Sequence, residues 1–445
     1  MRFAIISNEG TSLVYWMRLQ DEGEDVAVWI APRSERNIGD GLVKKFGSFE
    51  ALAAWGQEKP TVFLFDCTGQ GDKADYLRRR GHLVVGGGGF MDKLEMDRVY
   101  GGRLSKEAGV TEPETLEHSS LSDAIKWLSK NDDGRGWYFK TDKYLDSDAT
   151  QGADNVEQMV RYLEFMKIKY GNHIPNILQE KIKGVALSTA CYWNGKVWLP
   201  PYEGTIEHKK FMDGDVGPST GCSFNIIWFY DNFPRICKEL QWEKVGDIFR
   251  QEQAPPGLYD INAQVGDDGK AYFLEWTPRF GYDSEPTAQR ALTIPMGEFL
   301  YGLATGTLTE APFDTSTVQM SVRLSVSPYP WERVEDIPSK KSCIGKPVWG
   351  NDGLWDGNFI GYGLGLDDEK NLVVKTATGL VGLAATSGTD LEEMNDEILD
   401  FISSELEIPG LQYRQDAHTV IGKDVDRLRE LGYPVPLVTT PKERA

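Results

Sequence analysis

Residues 203–223 read EGTIEHKKFMDGDVGPSTGCS. The stretch is too polar for a core segment and too rich in Gly and Asp for regular secondary structure, so it predicts a loop. His208, Lys209 and Lys210 form a cationic cluster, and Asp213 and Asp215 stand one residue apart. Gly217, Pro218, Ser219, Thr220 and Gly221 then make a turn-forming run. Cations, acids and exposed backbone amides gathered in one loop suit the handling of phosphate or of a phosphorylated substrate. A solvated surface loop is the competing reading, and these residues alone leave both open.

The rest of the chain sets bounds on that loop. Its 445 residues are too many for one ordinary domain and imply two to four. Hydrophobic residues make up 40% and charged residues 26%, enough for a substantial core and against wholesale disorder. The net charge of −20 argues against a protein that coats nucleic acid, because a phosphate backbone needs Lys and Arg. The five cysteines, Cys67, Cys191, Cys222, Cys237 and Cys343, are scattered and form no CxxC pair. They fit a reducing cytoplasm and argue against a disulfide framework or structural zinc. No apolar run approaches the roughly 18 residues of a membrane span, so no membrane partner is expected. The opening MRFAIISNEG is too short in its apolar part for a signal peptide and reads as a first buried strand.

Upstream of the loop, apolar runs at 3–6, 26–30, 62–65 and 83–85 alternate with helical stretches. Alternation of this kind predicts a Rossmann-like parallel sheet with crossover helices. The 8–12 turn, with Asn8, Glu9, Gly10 and Thr11, sits where such a domain places its phosphate loop, but its single glycine rules out a dinucleotide fingerprint. The glycines at 86–89 could approach a ligand or serve as a flexible connector. A helix is expected over 92–109, and another over 155–170. A strand over 137–140 ends in Lys140, a candidate phosphate ligand or a solvated lysine. Asn194-Gly195 marks a hairpin.

Downstream, 258–265 and 271–276 read as a hairpin. Glu275, with Asp260 and Asn262 on the paired strand, offers hard oxygen ligands suited to Mg²⁺ bridging nucleotide phosphates. An ion pair between Glu275 and Arg279 is the structural alternative. The last third predicts strands at 318–326, 358–364, 372–375 and 381–385 and a helix over 390–406, a small α+β domain. The tail after Pro436 is expected to fray.

The order of these pieces resembles glycinamide ribonucleotide synthetase (phosphoribosylamine–glycine ligase), an ATP-grasp family. The carriers are Glu207-His208-Lys209-Lys210 with Asp213-Gly214-Asp215-Val216-Gly217-Pro218-Ser219-Thr220-Gly221, then Glu275-Trp276-Thr277-Pro278-Arg279-Phe280-Gly281, then Tyr413-Arg414-Gln415-Asp416. The resemblance implies α/β plus α+β architecture. Its parts would be an N-terminal α/β domain over 1–102, an ATP-grasp core over 103–312 and an α+β domain over 313–436, before a tail at 437–445. It implies ATP and Mg²⁺ (or Mn²⁺), with Arg98, Lys140, Gln179, Glu180 and Ile182 at the nucleotide. Glu275, Thr277 and Asn262 would serve the metal. Lys140, Arg279, Lys209, Asp213 and Asp215 would act on the reacting groups. Asn8, Glu9, Gly10, Thr11, His208, Gly217, Pro218, Ser219 and Thr220 would meet the substrates, a carboxylate such as glycine and an amine. The family's frequent monomeric state points to a monomer.

Two departures from the family stand out. Its glycine-rich first loop with arginine and histidine is replaced by Ser7-Asn8-Glu9-Gly10-Thr11-Ser12. Its glycine-rich phosphate lid is replaced by 141–150, TDKYLDSDAT, with three aspartates and no glycine. Acids beside a polyphosphate repel it unless a cation intervenes. The leading expectation is therefore an ATP-dependent carboxylate–amine ligase whose amine is not phosphoribosylamine. The authentic purine-pathway ligase and a catalytically weak binding protein are the alternatives.

Overall fold

The computed structural model describes residues 1–445 apart from 11, 142–149, 331–341, 351–352, 356, 437 and 445. Thr11 and nearly all of the aspartate-rich lid thus lie outside the described residues.

The chain begins with five parallel strands in the order β3-β2-β1-β4-β5: β1 (Arg2–Ser7), β2 (Asp25–Ile30), β3 (Lys44–Lys45), β4 (Thr61–Phe65) and β5 (Leu83–Val85). Both faces of the sheet are covered, which is why its strands read as unbroken apolar runs. Along β1, Phe3 and Ile5 enter one core while Ala4 and Ile6 enter another. The glycines at 86–89 are not a free connector, being held against the sheet. Gly86 has φ 69°, and a Cβ there would fall 2.3 Å from the Phe65 carbonyl oxygen. Arg78 ties the carbonyls of Gly86 and Gly87 at 2.6 and 2.7 Å.

The single helix expected over 92–109 is two helices, Gly89–Met96 and Arg98–Ala108. Asp97 breaks it by capping the second, accepting from the Tyr100 amide at 2.9 Å. This break sets Arg98 at a helix start. A four-stranded antiparallel sheet follows in the order β6-β9-β7-β8: β6 (Thr115–His118), β7 (Trp137–Lys140), β8 (Thr150–Ala153) and β9 (Asn176–Glu180). Trp137 and Phe139 point into its core, packed under the helices Leu121–Leu128 and Val156–Tyr170.

The remaining large sheet has ten strands. Its path runs β10-β14-β11-β12-β13-β16-β20-β17, with β15 beside β14 and β21 beside β16. These are β10 (Gly184–Ala186), β11 (Ser188–Trp193), β12 (Trp198–Met212), β13 (Val216–Tyr230), β14 (Gly257–Gly266), β15 (Ala271–Thr277), β16 (Val318–Val326), β17 (Phe359–Gly361), β20 (Leu380–Gly388) and β21 (Leu411–Gln412). A separate pair, β18 (Leu364–Leu366) and β19 (Leu372–Val374), stands apart.

The 203–223 stretch is therefore not a loop. It is most of a long hairpin whose two 15-residue strands turn at Asp213, Gly214 and Asp215, the last two at φ 75° and 56°. Backbone pairing on both sides explains why polar residues stay extended: β12 bonds β11 and β13, and β13 bonds β16. The last-third strands thus continue this sheet, since Phe224 pairs with Val322 and Ile227 with Gln319. Nor do the described residues of the tail fray. Thr439 pairs with Asp390, Val438 and Thr440 are buried, and Thr440 Oγ1 donates to Asp426 at 3.0 Å.

Candidate active site

One face of the large sheet is a cavity floor. Its side chains recur every second residue along each strand, the spacing at which a strand presents one face. On β12 they are Glu203, Thr205, Glu207 and Lys209; on β11, Ser188 and Ala190; on β14, Leu258, Asp260 and Asn262; on β15, Glu275 and Thr277. Register aligns them into rows. Thr277, Asp260, Ala190 and Glu203 are consecutive cross-strand partners, and Glu275 lies opposite Asn262. The cavity encloses about 180 Å³ and is walled by Arg279, Tyr282, Asp283 and Arg323.

A second cavity of about 70 Å³ lies between this sheet, the β6–β9 sheet and the helix that starts at Arg98. It is lined by Lys140, Gln179, Arg98, Glu95 and Glu112 among others, and Glu275 lines both cavities. Lys140 is buried and donates to Gln179 Oε1 at 2.8 Å. Burial pushes its ammonium down to about 8, with Glu275 opposing that and Arg98 and Lys209 adding to it. Arg98 approaches Glu275 at 3.5 Å. Burial alone would raise Glu275, but Lys140, Lys209, Arg98 and Arg279 outweigh it and hold the carboxyl below the usual range. Glu275 is accordingly a carboxylate at neutral pH, set where the two cavities meet.

The alternative Glu275–Arg279 pair is not formed among the described residues. Arg279 instead bonds Glu95 at 3.0 Å and lies over the Tyr282 ring, 4.4 Å from its centre. Tyr282 in turn donates to Glu9 Oε1 at 3.0 Å. Asn262 holds the floor together, donating from Nδ2 to Asp260 at 2.8 Å and to Thr277 at 2.7 Å while its Oδ1 accepts from Ser188 at 3.3 Å. Among the described residues, no group of three or more His, Cys, Asp and Glu forms a ready metal cage. The oxygens of Glu275, Asn262 and Thr277 stand on adjoining strands and give a partial set of hard donors of the kind Mg²⁺ completes with phosphate and water.

The structure brings Lys140, Gln179, Arg98, Glu275, Asn262, Thr277, Lys209 and Arg279 together on these two cavities. It sets the others elsewhere. Asp213 and Asp215 are at the hairpin tip and do not line either cavity; Asp215 Oδ1 accepts from Arg414 at 2.7 Å, and Asp213 accepts from the Gln415 amide at 3.0 Å. His208 faces away from the floor, stacked on Phe224 with its Nε2 2.8 Å from Asp424. Gly217, Pro218 and Ser219 are exposed on the outer part of β13, and Thr220 Oγ1 donates to the Lys209 carbonyl at 2.9 Å. Glu180 pairs with Arg135 at 3.4 Å, and Ile182 packs beside Gly266. At the first turn, Asn8 donates to the Thr68 carbonyl at 2.8 Å, and the Gly10 amide bonds Ser7 Oγ at 3.0 Å. All five cysteines are buried and unpaired with one another.

Sequence reasoning missed Glu203, Glu207, Asp283 and Arg323. The two glutamates carry a signal, the period-two spacing of 203, 205, 207 and 209, which a loop reading discards. Asp283 and Arg323 carry none. They form a buried pair at 2.7 Å, with Tyr362 donating to Asp283 at 3.0 Å, and meet only through folding.

No protein-family model matches the chain. It is 24% identical over 349 residues to a phosphoribosylamine–glycine ligase of Leifsonia xyli subsp. xyli, covering 77% of this chain and 80% of that one. Among solved structures, the phosphoribosylamine–glycine ligase of Thermotoga maritima matches with a TM-score of 0.70 at 19% identity, over 94% of this chain and 100% of that one. The biotin carboxylase of Campylobacter jejuni, solved as a beta-gamma-ATP complex, matches with a TM-score of 0.61 at 11% identity, over 98% of each chain.

Proposed function

From the premise that the chain is a divergent ATP-grasp member of the phosphoribosylamine–glycine ligase family, we propose that it is an ADP-forming carboxylate–amine ligase whose amine acceptor differs from phosphoribosylamine. A carboxylate is a poor acylating agent. Phosphoryl transfer from ATP would convert it to an acyl phosphate; the amine nitrogen then bonds the acyl carbon and the phosphate leaves. The nucleotide belongs in the cavity of Lys140, Gln179 and Arg98, and the condensing substrates in the larger cavity of Lys209 and Arg279. Glu180 and Ile182, beyond Gln179, are the proposed hinge against the base. The division at 102/103 and 312/313 is proposed to separate the α/β, ATP-grasp and C-terminal parts.

One observation carries this reading: Glu275, held ionised by four cations, is shared by both cavities. A divalent metal held by Glu275 with Asn262 and Thr277 would neutralise phosphate charge. Lys140 and Arg98 add charge from the nucleotide side, and Lys209 does so from the substrate side. Such groups act by position and electrostatics in a site that excludes water.

The test is ADP release from Mg-ATP with amino acids and a panel of amines. Turnover with at least one pair, lowered about a thousandfold in Lys140→Ala and Glu275→Ala, is the expected result. ADP release only with phosphoribosylamine would overturn the choice of acceptor. No release with any amine, together with no Mg-ATP binding, would overturn the ligase.

A further inference from the structure

A third cavity of about 330 Å³ shares no lining residue with the two already described. Three separate pieces of chain meet around it: the helix Leu13–Asp21, the stretch 286–292, and Trp355 with Gly357. Val14, Pro286 and Leu292 give it buried apolar walls, and Trp355 adds an aromatic one. The Trp355 ring is fixed twice, with the Arg18 guanidinium 5.4 Å from its centre and its Nε1 donating to Asp21 at 2.6 Å. Ligand cavities share this make-up: about 300–1,000 Å³, mostly apolar, with a few polar groups that orient the guest.

Two arginines line the cavity, and they differ. Arg18 is engaged on every nitrogen. Its Nε bonds Glu22 at 3.0 Å, and the other two donate to the carbonyls of Gln289 and Ile294 at 2.9 and 3.4 Å. Arg290 is half-buried and less occupied. Nη1 donates to the Gly357 carbonyl and Nε to Ser387 Oγ at 3.4 Å. Among the described residues, Nη2 makes no hydrogen bond and the guanidinium forms no ion pair. Burial pushes Arg290 below its ordinary value, with Glu397 opposing; Glu397 itself accepts from Asn358 at 2.9 Å. Two buried lining side chains also carry a polar atom without a partner, the Tyr15 hydroxyl and Gln289 Oε1. A recessed guanidinium lacking a counter-charge, beside idle buried polar atoms, is costly unless a guest joins them.

We propose that this cavity binds a small carboxylic acid with an apolar body, its carboxylate on Nη2 of Arg290 and its body against Leu292 and the Trp355 ring. The proposal goes beyond the ligase reading and does not rest on it. A guanidinium donates short, charge-assisted hydrogen bonds to a carboxylate. One unengaged nitrogen suits a single negative charge. A phosphate dianion is disfavoured, because Asp21, Glu22 and Glu397 hold negative charge on the surrounding elements. A neutral apolar guest would leave Arg290 as it is.

Calorimetric titration of the full chain tests this without turnover. The probes are phenylacetate, its neutral isostere phenylacetamide and inorganic phosphate. Phenylacetate should bind about tenfold or more tightly than phenylacetamide, the difference expected of a hydrogen bond to a charged group. Phosphate should bind more weakly still. Arg290→Gln should erase the preference for the acid. Trp355→Leu, at a half-exposed position, should weaken phenylacetate about tenfold and keep the preference. Lys209→Ala, in the larger cavity, should bind phenylacetate as the wild type does. Absent binding of phenylacetate, equal binding of acid and amide in the wild type, or tighter binding of phosphate would each overturn the proposal. So would an unchanged preference in Arg290→Gln, unchanged affinity in Trp355→Leu, or a loss in Lys209→Ala. The acid–amide comparison needs no variant, so it stands whatever a substitution does to folding. Failure of the ligase reading appears elsewhere, as absent ADP release, and leaves these affinities untouched.

Discussion

The two halves of one hairpin are built for different purposes. In the body of β12, Glu203, Thr205, Glu207 and Lys209 line the larger cavity. At the tip, Asp213 and Asp215 are joined to the chain's far end by Arg414, which is 1% exposed and reaches Asp215 and Asp416 at 2.7 Å each. Asp416 also accepts from the Gly214 amide at 2.8 Å, and Arg414 lies over the Phe224 ring, 4.6 Å from its centre. The tip is thus latched, and the body is left to meet ligands. Density of charged residues marked the whole stretch; pairing and side-chain period separate its two jobs.

Substitutions in the body and at the tip should act differently. Lys209→Ala, in the body, should lower ADP release about a hundredfold, roughly 2.7 kcal/mol of transition-state stabilisation, with denaturant stability little changed. Arg414→Ala should do the reverse. It leaves three carboxylates without their buried cation, so stability in urea should fall by about 2–4 kcal/mol while turnover per folded molecule changes far less. If Arg414→Ala stopped turnover in a fully folded protein, the latch would be part of the site.

The pH dependence of stability separates the halves again. Glu203 titrates near 8 in the folded protein, above its ordinary range. A folded value above the unfolded one means that folding takes up a proton between them. The contribution is therefore present below about pH 4.5 and lost as pH rises through about 8. The stability of the wild type relative to Glu203→Gln should fall over that interval, measured by urea unfolding at several pH values. A flat difference would show that Glu203 is already neutralised. The smallest effect belongs to Asp213→Asn at the exposed tip, below about 1 kcal/mol in stability and about twofold in turnover.

Much of this was legible beforehand, for identifiable reasons. The parallel sheet was visible because both of its faces are buried and its strands are apolar throughout. The β14–β15 hairpin was visible from its two runs at 258–265 and 271–276, and Lys140 and Glu275 from their strand positions. The β12–β13 hairpin was not, because a strand facing a wet cavity on one side lacks the apolar alternation that marks a half-buried strand. Its neighbours β11 and β16 supply the pairing, and β16 lies about a hundred residues away in the chain. The roles of Asp213 and Asp215 were hidden for a related reason: Arg414 is two hundred residues distant, and only folding shows that it claims them. The docked tail likewise depends on Asp390 and Asp426, which local sequence does not bring near Thr439 and Thr440.

The proposed nucleotide cavity lies at Lys140 and Glu275, and the hairpin tip stands outside it. Calorimetric titration of Mg-ADP into the full chain tests this most directly, comparing wild type, Lys140→Ala and Asp213→Asn. We expect binding by the wild type, at least a tenfold loss in Lys140→Ala and an unchanged affinity in Asp213→Asn. Equal affinity in wild type and Lys140→Ala, or a loss confined to Asp213→Asn, would contradict it.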